Sequence, residues 1–338
     1  MTHTSGNGWP TPDAGPVLVT GGCGFLGHHL VRRLLDEGHE VAILDDLSTG
    51  TLANVPTDDE RLHVVEGSVL DPAAVRRAAE DAAAVFHLAG VVGMRLAVGD
   101  RDRAYNIAVD GTRNVLEATG NTPVVLYSSS AVYGLTSRVA VSEDQTPGES
   151  GVLAYDGGYR GYATGKWELE KLGQAAATTG RPVLIVRPFN AVGEGQTGTY
   201  GMVVPSFIRM ARSGEPLTVY DDGEQSRTFS EVRTFVDALM RLVVLPEAWA
   251  FPRNVFNIGT SESTTIGELA QIVLEETDSE SVVHYIPYGE IFPGKQDVRA
   301  RVPDTTRLER LIGPVEWPTI REVVRELVRI GVGAAVRE

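Results

Sequence analysis

The sequence predicts an α/β chain, with a doubly wound, mostly parallel sheet in its first half and a smaller α/β lobe towards the C-terminus. Three observations carry this. Short apolar runs alternate with helix-period stretches from Pro16 to about residue 190. A glycine-rich turn follows the first run and opens the first helix. Beyond residue 190 glycine and proline become frequent and the apolar runs shorten.

Each element follows in order. Val17-Leu18-Val19-Thr20 is continuously apolar up to its last residue, as a strand buried on both faces should be. The helix after it carries Leu26, Leu30, Leu34 and Leu35 on one stripe and ends at Gly38. Residues 41–44 form the second strand, ending at Asp45-Asp46. Further strands are expected at 62–66, 84–88, 124–127 and 183–186, with helices at 73–82, 107–118 and 162–177. The last helix, 320–330, is amphipathic. Residues 1–15 are polar and read as a flexible tail. Residues 16–190 form the parallel-sheet domain, to which the chain can return near 230–260. Residues 191–338 are mainly a second lobe.

Composition narrows the function. The chain has 338 residues, 42% hydrophobic and 22% charged, and can bury a large core without metals or disulfides. A net charge of −15 argues against a nucleic-acid or anionic-membrane surface, where a basic face is expected. An anionic small molecule feels only local charge and is not excluded. The single cysteine, Cys23, rules out a disulfide framework within the chain and a cysteine-cluster zinc site. His28 and His29 are adjacent on a helix and cannot face one metal ion together. No apolar run reaches the roughly 18 residues that span a bilayer. The start lacks the apolar segment of a signal peptide, so a cytoplasmic protein is expected. Of 30 basic residues only Lys166, Lys171 and Lys295 are lysine.

Gly22-x-Gly24-x-x-Gly27 sits between a strand and a helix. Such glycines permit a tight turn and the close approach of a pyrophosphate to the helix N-terminus. Asp45, at the end of the second strand, can accept both ribose hydroxyls of NAD and would repel the 2′-phosphate of NADP. Cys23 reads as a small residue tolerated in this turn.

Tyr162-Ala-Thr-Gly-Lys166 is the one place where lysine follows a tyrosine by four residues, on one helical face. The ammonium is expected to favour the ionised phenol, making it a base for a sugar hydroxyl. Ser128-Ser129-Ser130 follows the strand at 124–127, whose C-terminal end opens onto the crevice of such a sheet. One of these hydroxyls can help pass the proton.

In order, Gly21-Gly-x-Gly24-x-x-Gly27, Asp45, His87-Leu-Ala-Gly90, Asn106, Ser128-Ser-Ser-Ala-Val-Tyr-Gly134, Tyr162-x-x-x-Lys166 and Arg187-Pro-Phe-Asn190 resemble an extended short-chain dehydrogenase/reductase of the NAD-dependent nucleotide-sugar epimerase/dehydratase family. The resemblance runs from about Pro16 to Leu327 and implies a Rossmann domain. It also implies the roles that follow. Gly21, Gly24, Phe25, Leu26 and Gly27 would hold the NAD pyrophosphate and Asp45 the adenosine ribose. Asp46, Leu47, Ser48, Thr49 and Gly50 would lie beside that ribose. Ser68 and Val69 would flank adenine, Ser68 replacing the usual aspartate. Leu88, Ala89, Gly90, Asn106 and Ser128 would line the dinucleotide. Tyr162 would be the catalytic base, Lys166 would bind the nicotinamide ribose and tune Tyr162, and Ser129 would be the hydroxyl partner.

For the substrate, a nucleotide-diphosphate sugar with UDP favoured, the resemblance implies Ser129 and Ser130 at the sugar and Asn190 at the phosphates. It places Val203, Val204 and Phe207 over the base, Thr218 and Tyr220 beside uracil, and Arg227 and Arg299 on the diphosphate. The guanidinium fork suits phosphate oxygens independently of any family. Arg95 could bring a cation towards an acidic sugar. A homodimer through the helices at 107–118 and 162–177 is implied as well.

Relatives that dehydrate commonly carry Asp-Glu after the hydroxyl residue, and decarboxylating ones keep the glutamate. Here those positions are Ser130 and Ala131. Epimerisation needs no carboxylate there, so a 4-epimerase acting on a UDP-hexose or UDP-uronic acid through a 4-keto intermediate is expected. A 4,6-dehydratase or UDP-glucuronate decarboxylase is the alternative, and a non-catalytic NAD-binding protein a second. Val232-Arg233-Thr234 also departs, since the family usually has an acidic residue after a valine there.

Overall fold

The computed structural model describes residues 9–91, 99–135, 140–145, 148–157, 160–199, 201–291 and 297–332. At its centre is a seven-stranded, all-parallel sheet. It comprises β1 (Val17–Thr20), β2 (Val41–Asp45), β3 (Leu62–Glu66), β4 (Ala84–His87), β5 (Val124–Tyr127), β7 (Val183–Pro188) and β12 (Val255–Ile258). Their order is β12-β7-β5-β4-β1-β2-β3. The strand order reverses between β1 and β4, whose C-terminal ends therefore bound a crevice.

Alternate residues of each strand enter opposite cores. Val17, Val19, Ile43 and Phe86 face one side with Leu30 and Leu34 of α1 (Phe25–Asp36). Leu18, Leu44 and Val85 face the other, with Val75 of α2 (Pro72–Ala78) and Leu169 of the helix Tyr162–Thr178. That period-two division is why the strands read as unbroken apolar runs.

The strands begin where the sequence places them, and β2, β4 and β7 differ from expectation by one or two residues at their ends. The expected helix at 73–82 starts at Pro72 and closes at Ala78, after the Asp71 carboxylate caps Ala73 N. The expected helix at 107–118 is a longer run: α3 (Arg101–Asn106), a π turn (Ile107–Gly111) and α4 (Thr112–Thr119). The chain returns to the sheet through β12, which pairs with β7 in parallel register, Val255 opposite Ile185.

A further correction concerns the tail. The stretch expected to be loose through Gly15 is docked from Trp9 onward. Trp9 is buried, its ring 5.3 Å from Phe86 and 6.0 Å from Trp249. An indole gains more from apolar contact than the segment loses in backbone freedom.

The second lobe has its own core. It combines α7 (Val203–Arg212), β9 (Leu217–Tyr220), α9 (Ile266–Thr277) and α12 (Ile320–Arg329) through Ile208, Leu217, Leu269 and Val324. Between and around these cores lie β6 (Ala140–Val141), α5 (Gly148–Tyr155), α6 (Tyr162–Thr178), α8 (Val232–Val243) and β15 (Val302–Pro303). β15 pairs with β6, tying the end of the second lobe to the loop after β5. No helix of the described residues is long and apolar enough to cross a membrane.

Candidate active site

The glycine loop is shaped by contacts that exclude side chains. A Cβ on Gly27 would lie 2.1 Å from the Gly21 carbonyl oxygen, so helix and turn can meet here only with glycine. Gly21 has φ +73°, and a Cβ there would lie 2.9 Å from Ala89 N, at the end of β4. Helix α1 then starts without a side-chain cap and without an acidic residue in its first turn. Its positive end is thus left for an external anion.

Asp45 faces this loop. Its two oxygens accept from Cys23 N and Leu47 N, both at 2.9 Å. Each carboxylate oxygen keeps a lone pair for a ribose hydroxyl. Asp46–Gly50 folds against the same loop. A Cβ on Gly50 would stand 2.7 Å from the Cys23 carbonyl oxygen, and Ser48 donates to Asp46. Thr49 lies between them. Val69 is buried where Gly111 of the π turn approaches it, while the Ser68 hydroxyl accepts from Leu70 N. Asn106 is exposed at the start of that turn. These residues form a cradle that fits a dinucleotide, the uncapped helix end at Gly24–Gly27 suiting a pyrophosphate and the Asp45 carboxylate a ribose. Cys23 within it is buried, and burial, then Asp45, push its thiol up to about 12, which makes it inert.

A hydrogen-bond chain sets the opposite wall. Thr112 Oγ1 donates to Ala108 O at 2.6 Å, so it accepts from His87 Nε2 at 3.1 Å. His87 Nδ1 then accepts from Thr20 Oγ1 at 2.8 Å, which itself accepts from Ala89 N at 3.2 Å. One tautomer satisfies every member. Burial pushes His87 down to about 3, aided by Lys166, and keeps it neutral. The segment Leu88-Ala89-Gly90 is thereby fixed at the end of β4.

The candidate reacting residues are brought together by β5 and α6. After β5, Ser129 caps a single 3₁₀ turn (Ser130–Tyr133), its Oγ accepting from Ala131 N at 3.1 Å. This aims the Ser129 hydroxyl at Tyr162, on which it acts as a side-chain hydrogen-bond partner. Asp156 caps α6 through Thr164 N and Thr164 Oγ1, both at 2.8 Å, and so sets where Tyr162 begins. Lys166, one turn on, donates to Tyr127 O at 2.6 Å, and a Cβ on Gly90 would lie 3.3 Å from its Nζ. Ser129, Tyr162 and Lys166 thus converge at the mouth of the crevice beside Gly90, as the spacing predicts.

The expected direction of the phenol shift is corrected. Burial raises Tyr162 above its ordinary range, and the Ser129 hydroxyl only partly offsets it. Burial likewise lowers Lys166 to about 8, against the raising influence of Glu170. Desolvation dominates both shifts, and neither group is among the causes acting on the other.

The expected substrate residues are placed as follows in the fold. Arg299 is on the surface, its guanidinium held by Asp222 at 2.7 and 2.9 Å. Two residues on, Arg301 is buried instead, because the chain packs over it and not over Arg299. Arg227 remains half-buried, with Nη2 on Asp297 at 2.6 Å and Nη1 on Val298 O at 2.6 Å. Val204 and Phe207 enter the core of the second lobe, and Val203 is half-buried. Thr218 and Tyr220 line the face of β9 opposite its core, where the Tyr220 ring meets Tyr288 edge-on at 5.9 Å. Asn190 adopts φ +34° and is exposed, its carbonyl accepting from Ser230 N. Ser130 is buried in the 3₁₀ turn. Arg95 lies outside the described residues.

Three features escaped the sequence reading. Arg301 is buried, with Nη2 donating to Gly134 O at 2.5 Å and its guanidinium 5.2 Å above the Tyr155 ring. Its Nε has no partner among the described residues. Glu170, one turn beyond Lys166, accepts from Ser128 Oγ at 2.5 Å and from Arg187 at 2.8 and 2.7 Å, wholly within the core. Removing one partner of such a pair costs roughly 3–5 kcal/mol. The acidic residue missing after Val232 stands before it: Glu231 caps α8 through Arg233 N and Thr234 N. A glutamate four residues after Lys166 and an arginine in the Arg187-Pro-Phe-Asn190 run were visible signals for the second.

The position that carries a glutamate in decarboxylating relatives is closed. Ala131 is buried against Val152 and Ala163. The carboxylate that acts on Tyr162 is Asp156, and its oxygens are taken up capping α6.

Comparison with known proteins agrees with this construction. Residues 17–259 match the sequence model of the NAD dependent epimerase/dehydratase family. The chain is 32% identical over 299 residues to a UDP-N-acetyl-alpha-D-glucosaminuronate decarboxylase of Bacillus cytotoxicus, covering 87% of this chain and 90% of that protein. It superposes on a UDP-N-acetylglucosamine 4-epimerase of Methanobrevibacter ruminantium, solved with UDP-N-acetylmuramic acid, with TM-score 0.80 and 28% identity over 93% and 97% of the two chains. MoeE5, solved with UDP-glucuronic acid and NAD, gives TM-score 0.76 and 28% identity over 94% and 99%. With NAD the cofactor and a Rossmann sheet carrying the site, the chain belongs to the NAD-dependent epimerase/dehydratase family of nucleotide-sugar enzymes.

Proposed function

We propose that this enzyme oxidises the C4 hydroxyl of a UDP-linked uronic acid and releases the sugar's carboxylate as carbon dioxide. The observation that carries this reading is the likeness to a uronate decarboxylase along about nine-tenths of both chains, in a protein that groups Ser129, Tyr162 and Lys166.

Bound NAD would accept a hydride from C4 and later return it. Tyr162, as phenolate, takes the C4 hydroxyl proton, with Ser129 bonded to the same oxygen. Lys166 holds the nicotinamide ribose and stabilises the phenolate. The resulting 4-ketone stands β to the carboxylate. The bond from C5 to the carboxyl carbon can then break, its electron pair passing into an enolate whose oxygen sits at Ser129 and Tyr162. Hydrogen-bond donors placed where charge develops are what this step needs. It needs no side-chain carboxylate, so Ala131 is compatible with it. A proton from water then adds at C5 in place of the lost carboxyl carbon, and Tyr162 gives its proton back to the C4 oxygen as the ketone is reduced. Arg301, a buried cation with an unsatisfied Nε, is the group suited to an anionic part of the substrate, and the Tyr155 ring connects it to Tyr162. Arg227, exchanging Asp297 for phosphate, is the remaining candidate at the diphosphate.

A 4-epimerase is the second reading, favoured by the apolar closure around Ala131 and by the likeness to a solved 4-epimerase. Incubating the protein with UDP-glucuronate and UDP-N-acetylglucosaminuronate and weighing the products decides between them. Loss of carbon dioxide supports decarboxylation, and an isobaric product supports epimerisation. A homodimer through α4 and α6 belongs to the same proposal, and small-angle scattering tests it.

A further inference from the structure

Behind the reacting group runs a buried polar chain that the reaction as derived does not use. Ser128 Oγ donates to Glu170 Oε1 at 2.5 Å. Arg187 donates to both Glu170 oxygens, and also to Tyr133 Oη at 2.9 Å and Glu143 O at 3.2 Å. Tyr133 Oη donates to Asn257 Oδ1 at 2.7 Å. Asn257, on β12, donates in turn to Val141 O at 2.9 Å and Asp304 O at 3.2 Å, while its own backbone N–H is held by Glu143 at 2.9 Å.

Two facts make this more than core packing. Glu170 lies one helical turn from Lys166 on α6, and both are buried, so their charges interact with little screening. Ser128, which Glu170 holds, directly precedes Ser129 and follows Tyr127, whose carbonyl receives the Lys166 ammonium. A full core charge is otherwise costly, and Arg187 offsets it through both carboxylate oxygens.

We infer that Glu170 is a positioning residue of the active site: its carboxylate, clamped by Arg187, keeps Lys166 in the ammonium form and holds the Ser128–Ser129 backbone against β5. This rests on the reading of Lys166 and Tyr162 as the reacting pair, but its first test does not. The titratable groups facing Lys166 are Glu170 and Tyr162 on its own helix, His87 on β4 and, through its backbone carbonyl, Tyr127 on β5. His87 is neutral throughout the working range. Among the described residues, Glu170 is the one carboxylate that acts on Lys166, so its removal takes away that raising influence.

The chain has only three lysines, which makes a direct titration practical. In protein carrying 13C-labelled lysine, the Cε signal that disappears in Lys166→Met belongs to Lys166. It should titrate near pH 8 in the wild type. In Glu170→Gln the midpoint should fall by about one unit, and the basic limb of kcat/KM should move the same way. Should Glu170→Gln not fold, Glu170→Gln/Arg187→Met removes both charges, and the midpoint should fall in the same direction by a smaller amount, since the opposing cation goes too. Tyr133→Phe is the structural control. It takes one bond from the same chain, lowers thermal stability and leaves the Lys166 midpoint in place. An unmoved midpoint in a folded Glu170 variant, or an equal shift in Tyr133→Phe, overturns the inference. Full turnover in Tyr162→Phe would instead overturn the reading of the reacting pair and leave the lysine titration standing.

Discussion

Lys166 donates its ammonium to the carbonyl oxygen of Tyr127 at 2.6 Å, which anchors helix α6 to the end of strand β5 at the one point where both contribute reacting groups. The bond spends one of the three ammonium donors and directs the others towards Gly90 and the crevice. Tyr162, four residues earlier, is therefore placed relative to the sheet and not only relative to its own helix.

Tyr162→Phe is expected to lower kcat by at least about a hundredfold while the melting temperature changes little, because it removes the proton acceptor and keeps the ring. Steady-state kinetics and thermal denaturation on the same preparation check this.

Gly27→Ala should abolish dinucleotide binding or the fold around it. The new methyl would lie 2.1 Å from Gly21 O, a backbone atom that cannot swing aside. Tryptophan-fluorescence titration with NAD, alongside circular dichroism, separates the two outcomes.

Ala131→Glu, which would place a carboxylate after the hydroxyl residue, is expected to destabilise the fold and to add nothing to turnover. Its side chain would enter the contact with Val152 and Ala163 without a partner. Burying an unpaired polar group costs at least about 2 kcal/mol. Urea unfolding should show the loss, and product analysis should show no gain in carbon dioxide release.

Arg301→Met keeps bulk over Tyr155 and removes the charge. If Arg301 recognises an anionic part of the substrate, KM for a UDP-uronate should rise at least about tenfold, more than for the matching neutral UDP-hexose. Equal effects on the two would place Arg301 in the scaffold alone.

Stability should fall in mild acid. Burial holds His87 near 3 and His28 near 4, below their ordinary value of 6.5. Both are neutral in the fold, whereas the unfolded chain takes up their protons as pH drops through about 6.5. The unfolded state then binds more protons, so stability present above that pH is lost progressively towards about 4. Thermal melts at a series of pH values test the slope, and a flat profile between pH 7 and 4 would contradict it.

Much of this was legible in the residues. Strands such as Val17–Thr20 and Val124–Tyr127 announce themselves because a parallel strand buried on both faces must be apolar throughout. The glycine loop, Asp45, Tyr162 and Lys166 were legible for a related reason: their chemistry depends on spacing along one turn or one helix face. Arg299 shows where this stops. Arg299 and Arg301 are two residues apart in similar company, yet one meets Asp222 in solvent and the other is buried over Tyr155. Which of two neighbouring arginines is buried depends on what the rest of the chain packs around them.

By itself, then, the sequence determined the sheet, the glycine turn and the tyrosine–lysine pair on one helix face, since each rests on short-range periodicity or fixed local spacing. Only the tertiary structure decided that Trp9 docks against Phe86 and that β12 joins β7. The same is true of Glu170 meeting Arg187, Arg301 standing behind Tyr155 and Ala131 being closed by Val152. Those contacts join residues from separate elements, and burial of one by another is a property of the packed whole, not of any window of the chain.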